Sequence, residues 1–156
     1  MGPALSDTYT VFHANHANVC TAGALDAAKL GAAYGLMGAQ ASADGIKLNA
    51  SPRFLVVAPT AVVSAQAIVT ALWAGDPDPG RRIVVVGDPN LSGVRFYCVA
   101  DPALLPTFVY GYLNGENGPR VRTEAGFEVD AVKIKVELDF GVGAVDYRGA
   151  VTGAGA

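Results

Sequence analysis

From position 132 the chain alternates without a fault. Val132, Ile134, Val136, Leu138 and Phe140 take one side, while Lys133, Lys135, Glu137 and Asp139 take the other. A period of two marks a strand with one face on a core and one in water, so residues 132–140 are predicted as one long half-buried strand. Upstream, the apolar runs 53–58 (RFLVVA), 81–88 and 94–100 read as short strands, the first of them ended by Pro59. The period changes between them. Residues 21–40 are predicted as a helix capped by Thr21, with Leu25, Ala28, Ala32 and Leu36 on one face, and residues 60–73 as a second helix with Val63, Ala67, Ile68 and Leu72 in register. Each interior glycine of the first helix (Gly31, Gly35, Gly38) costs about 1 kcal/mol relative to alanine, so that helix needs tertiary support or close packing against another backbone.

Residues 42–52 are rich in turn formers and read as a loop or short hairpin, and 75–80 (GDPDPG) as a tight exposed loop. Beyond Asp101 and Pro102 the pattern holds no helix. Strands are predicted at 107–113 and 120–124 around the NGENGP turn, then the long strand, then a closing strand at 142–151 entered through Gly141 and Gly143, with a frayed tail at 152–156. An extended segment at 8–12 precedes the first helix. Helices with strands first and strands alone afterwards make an α+β chain.

The composition sharpens this picture. A chain of 156 residues forms one domain, or one with a small appendage, and buries roughly two thirds of its unfolded surface. Hydrophobic residues are 51% and charged residues 16%, apolar enough that further surface is expected to be buried against a partner. No apolar run approaches the roughly 20 residues of a membrane span, and residues 1–10 lack the basic start and apolar stretch of a secretory signal. Net charge is −3, with the 11 Lys and Arg scattered, so nothing here draws a phosphate backbone by charge alone.

Candidate chemistry is sparse. His13, His16 and Cys20 have zinc-binding side chains. Positions three apart on an extended chain point to opposite faces, however, and a structural site needs a fourth ligand. Metal, cofactor and catalytic residues are therefore all read as none, with a small α/β metal-dependent enzyme using His13, His16 and Cys20 kept as an alternative. Cys20 and Cys98 lack CxxC spacing and read as two buried small hydrophobes, with a disulfide left open. The DFG triplet at 139–141 has no glycine-rich loop, strand lysine or HRD segment beside it, so Asp139 reads as a wet-face residue. The two turn-rich loops supply candidate contacts between subunits: Asp44 and Lys47 in one, and Asp76, Asp78, Arg81 and Arg82 in the other. Exposed pairs of this kind contribute at most about 1 kcal/mol.

Together, the segments FHANHANV, PRFLVVAP, FYCVADP and the run from YGYLNGENGP to DFGVGAVDYRGAV resemble the carboxy-terminal part of tailed-bacteriophage major capsid proteins. The likeness is greatest to Mu-like major head subunits and to capsid proteins fused to a ClpP-like protease, with Tyr147 where Trp is common. The resemblance implies an HK97-like fold: an extended leader at 1–12, an axial domain with mixed sheet and two helices at 13–105, and the β portion of a peripheral domain at 106–151. It implies a non-enzymatic head subunit that forms pentamer and hexamer capsomers of an icosahedral shell, meets other phage head proteins, and occupies the virion head after the host cytoplasm. An encapsulin-like shell protein is the alternative of the same fold. His13 and His16 are then expected to mark the crossing into the axial domain, held by hydrogen bonds. The amino-terminal arm, extended loop and spine helix of that fold have no counterpart ahead of His13, so the chain is expected to be a carboxy-terminal fragment, a prophage remnant or an engineered truncation.

Overall fold

The computed structural model describes residues 2–74, 83–113, 115, 118–125 and 132–153. The chain forms two compact units, Met1–Thr107 with Ala144–Ala156, and Phe108–Gly143. In chain order the elements are β1 (Val19–Cys20), α1 (Ala27–Gly38), β2 (Pro52–Val57), α2 (Val62–Leu72), β3 (Val84–Gly87) and β4 (Phe96–Ala100), then β5 (Phe108–Tyr112), β6 (Arg120–Ala125), β7 (Val132–Glu137), β8 (Phe140–Ala144) and β9 (Ala150–Gly153). The class is α+β, as expected.

The first unit is built on a five-stranded mixed sheet of order β1-β9-β4-β2-β3. Its central strands alternate as apolar sequences should. Leu55 and Val57 of β2, Phe96, Cys98 and Ala100 of β4, and Val151 of β9 are buried, with Leu55 opposite Cys98 and Cys98 opposite Val151. Leu30, Ala33 and Met37 of α1 and Ala65 and Val69 of α2 complete this core. Gly153 has a steric role, because a Cβ there would lie 2.1 Å from the Phe96 ring, which fills that space instead.

Both helices turn a different face inward from the one expected. The cap of α1 is Asp26, whose side chain accepts from the Lys29 amide at 2.7 Å, and not Thr21; Gly23, at φ +122, keeps the preceding turn out of helical geometry. In α1 the buried positions are Leu30, Ala33 and Met37, while Ala28 and Ala32 are exposed; in α2 Ala65 and Val69 are buried and Val63, Ala67 and Leu72 are exposed. Helices this rich in alanine and valine are apolar nearly all round, so the pattern has no clear phase and the contacts with the sheet decide it. Gly31 and Gly35 are not pressed against another backbone either, since a Cβ at either meets nothing within 4 Å.

The chain ends also differ from expectation. Residues 1–12, read as a leader, belong to the first unit: Val11 and Phe12 pack with Ala150, and the Val11 amide donates to Pro3 O at 3.1 Å. The chain passes from the first unit to the second at 107/108 and rejoins the first at Ala144. Thr152 and Gly153, placed in the frayed tail, lie buried in β9.

One side chain fastens the amino-terminal segment to this returning strand. Asn18 is wholly buried, and its amide nitrogen donates to the carbonyls of Val11 at 2.8 Å, Ala150 at 3.2 Å and Tyr147 at 3.3 Å, while its Oδ1 accepts from the His13 amide at 3.2 Å. The predicted strand 132–140 is broken at Leu138 and Asp139 into β7 and β8. In the second unit β6 pairs antiparallel with β7, and β5 pairs with β8.

Two predictions follow from this packing. Asn18→Ala strands several buried carbonyls and one amide, and is expected to lower stability by about 2–3 kcal/mol in urea denaturation. Gly31→Ala or Gly35→Ala, made into open space on a helix, is expected to raise the denaturation midpoint by the equivalent of about 0.5–1 kcal/mol, whereas Gly153→Ala, made against Phe96, is expected to lower it by about 1–3 kcal/mol.

Candidate functional site

The residues with the most suggestive chemistry serve the fold. His13 caps the 3-10 turn Ala14–His16, its Nδ1 accepting from the Asn15 amide at 3.2 Å. His16 is buried, with Nδ1 donating to Val11 O at 3.0 Å and Nε2 bonded to Asp7 Oδ2 at 2.7 Å. That bond holds the Asp7 carboxyl below the usual carboxylate range. The His16 ring lies flat on Tyr147, centroids 3.8 Å apart and planes 5° from parallel, and the Arg148 guanidinium sits 5.0 Å from the Tyr147 centroid. With both ring nitrogens turned onto oxygens of its own chain, His16 presents neither to a metal.

Cys20 does not join the histidines. It is buried on β1, where burial pushes its thiol up, and Cys98 is pushed to about 12 by burial and by Cys20; both thiols are free. A thiol held protonated is a poor nucleophile and a poor metal ligand. Among the described residues no group of three or more His, Cys, Asp or Glu is placed to hold a metal. The metal-enzyme alternative therefore has no assembled site behind it.

Of the candidate subunit contacts, Asp76, Asp78, Arg81 and Arg82 lie outside the described residues. Asp44 and Lys47 are exposed on a turn closed by the Ala41–Lys47 bridge, with Gly45 at φ +80, and the Lys47 ammonium donates to Ala39 O at 2.7 Å, just beyond the end of α1. Lys47 thus satisfies a helix-end carbonyl within its own chain. Asp139 of the DFG triplet accepts from Arg120 at 2.9 Å, an ion pair between β6 and the segment that follows β7.

The second unit carries the most unusual surface. Register pairs Val121 with Val136, Thr123 with Ile134, Arg122 with Lys135 and Arg120 with Glu137. Residues directly opposite share a face, so one side of this ribbon is Val121, Thr123, Val132, Ile134 and Val136, and the other is wholly charged. Part of the charged side is paired within the ribbon: Glu137 is contacted by Lys135 and by Arg122 at 3.9 Å, and the Lys135 ammonium holds the Glu137 carboxyl below its ordinary range. The apolar side, expected to lie on a core, is open: Val121, Val132, Ile134 and Val136 are each more than 60% exposed. The alternation is real and its covering is missing, because nothing in the two-stranded ribbon lies over that face.

The β5-β8 ribbon is similarly bare. All five residues of β5 are exposed, and a groove of about 440 Å³ runs between Phe108, Val109, Tyr110 and Tyr112 on one side and Leu138, Phe140 and Val142 on the other. The Tyr110 and Tyr112 rings meet edge to face at 5.9 Å. Folded monomers seldom expose contiguous apolar surface on this scale unless it is a binding surface. Sequence reasoning marked these side chains as apolar strand residues but had no signal for their exposure, and it missed Asn18, an asparagine among turn-like neighbours, two of whose three carbonyl partners come from distant chain.

No curated protein matches the chain. A family model described as phage capsid protein matches residues 1–153, through both compact units. The open apolar ribbons therefore sit on a structural protein of the virion head: the chain belongs to the phage capsid protein family.

Proposed function

We propose that this protein is a major head subunit that associates with copies of itself, through the apolar ribbons of the second unit, into the capsomers of an icosahedral shell. The observation that carries the reading is the run of valine and isoleucine side chains standing in water on β6 and β7. Fully burying one such side chain is worth about 1.5–3 kcal/mol, so several together offset a large part of the cost of bringing two copies together. The ion pairs on the opposite face keep that face in water, which directs association to one side of the ribbon.

In this reading the protein has an HK97-like arrangement of the Mu-like or protease-fused kind. The first unit corresponds to an axial domain and the second to the β portion of a peripheral domain. Subunit contacts near the capsomer axis fall on the turn with Asp44 and Lys47 and on residues Asp76, Asp78, Arg81 and Arg82. Other head proteins are further partners, and packaged DNA is met without base-specific contacts, as a net charge of −3 suggests. The chain performs no chemistry of its own.

Light scattering coupled to size exclusion, with negative-stain images of the large fractions, tests the reading. Rings or shells are the expected result, and a monodisperse monomer at every concentration overturns it. Ile134→Lys is expected to leave the fold intact, because the side chain is 68% exposed, and to weaken association at least tenfold, the equivalent of about 1.4 kcal/mol. Raising the salt is expected to leave the parent's association largely unchanged, since apolar burial, unlike ion pairing, is not screened.

A further inference from the structure

The two faces of the β5-β8 ribbon differ in bulk. Phe108, Tyr110 and Tyr112 share one face of β5 by strand alternation, and Phe140 and Val142 share one face of β8. The Leu113 amide bonded to Asp139 O at 3.2 Å and the Val145 amide bonded to Thr107 O at 2.8 Å flank the ribbon and set Tyr112 opposite Phe140 and Tyr110 opposite Val142, so these side chains stand on one side of it. The alternate positions, Gly111 of β5 and Gly141 and Gly143 of β8, therefore turn to the other side, where Val109 is the one alternate position of β5 with a side chain beyond Cβ. A Cβ built on any of these three glycines meets nothing within 4 Å, and none of them has a positive φ. Neither a turn nor internal crowding accounts for glycine here.

Glycine inside a strand weakens it, and one physical reason for it there is the close approach of another backbone or ligand. The same two strands present what would approach: rings with no charge among them, standing on one side of a ribbon whose other side is glycine at three of four positions, Val109 being the fourth. Bulk and hollow are complementary between copies and not within one. We infer that the aromatic face of β5 and β8 in one subunit packs onto the glycine face of β5 and β8 in the next, a contact between unlike faces that each copy makes twice. The inference rests on the self-association proposed above and specifies its geometry. A contact of this kind is heterologous, so it propagates from copy to copy and closes into a ring when the rotation between neighbours allows. Without side chains on one surface, the two sheets approach closer than the usual spacing of about 10 Å.

Sedimentation velocity on the full chain and two double variants tests this. Gly141→Val with Gly143→Val fills the hollow; valine favours strands and meets open space within the chain, so circular dichroism and the melting midpoint are expected to be those of the parent or better. Tyr110→Ser with Phe140→Ser removes the bulk. Each variant alone is expected to associate at least tenfold more weakly than the parent. Mixed in equal amounts, the two are expected to associate more strongly than either alone, because one intact pair of β5-β8 faces remains between unlike variants and none between like ones. Glycine variants that associate like the parent overturn the inference and leave self-association standing. A mixture no larger than its separate components overturns it in favour of a contact between like faces. A parent that is itself monomeric overturns both readings.

Discussion

The fold depends on where β9 lies. The last described strand of the chain is not at an edge of the sheet; it runs between β1 and β4, parallel to the first and antiparallel to the second. Until Ala150–Gly153 arrives, β1 has no strand partner and the Phe96 ring lacks the Gly153 backbone it packs against. Contacts between residues so distant in sequence carry a large loop-closure cost before they give any return. Asn18 and the His16–Tyr147 stack fix this junction from the amino-terminal side, which explains why an asparagine and a histidine are buried there in place of aliphatic residues. Every donor and acceptor they bring has a partner on chain that must in any case be held at that place.

This placement of β9 has a consequence for the second unit. Because the chain leaves the first unit after Thr107 and must return at Ala144, the excursion Phe108–Gly143 is anchored at both ends, and the Val145 amide bonded to Thr107 O at 2.8 Å joins the outgoing and returning chain. Two-stranded ribbons are marginal in water by themselves. Anchoring at both ends lowers the entropy that such ribbons would otherwise lose on ordering, and so lets them hold their shape with apolar faces uncovered.

Strands were largely legible in the sequence, helix faces were not, and the reason is the same in both cases. A period of two is written plainly in β7, where apolar and charged residues alternate, while β2 and β4 stand out as short apolar runs rich in β-branched and aromatic residues. In α1 and α2 nearly every position is small or apolar, so the period has nothing to contrast with, and Leu30, Met37 and Val69 were placed by the sheet they meet. The capping residue was misjudged because Thr21 and Asp26 both suit the role, and the choice was made by Gly23, whose positive φ is invisible in composition. The chemistry of His13, His16 and Cys20 was legible as residue types only. That His16 spends both nitrogens on Asp7 and Val11, and that Cys20 lies on a strand apart from them, are consequences of packing. The break at Leu138 and Asp139 was hidden because alternation continues through it.

The candidate surface shows the limit of pattern most clearly. Alternation at 132–140 established that one face is apolar, and the simplest inference placed that face on the protein's own core. What alternation cannot carry is the identity of the covering layer, which in an assembling protein is another molecule. Such faces also couple association to order: whatever binds the folded ribbons and not the unfolded chain stabilises them by mass action. The charged face of β6 and β7 then has a second use. Its ion pairs contribute little stability in water, yet its charges make the wrong face costly to bury, because unpaired or imperfectly paired charges lose hydration without return. In the proposed association, apolar residues on one face supply the attraction, and charges on the other confine it to one orientation.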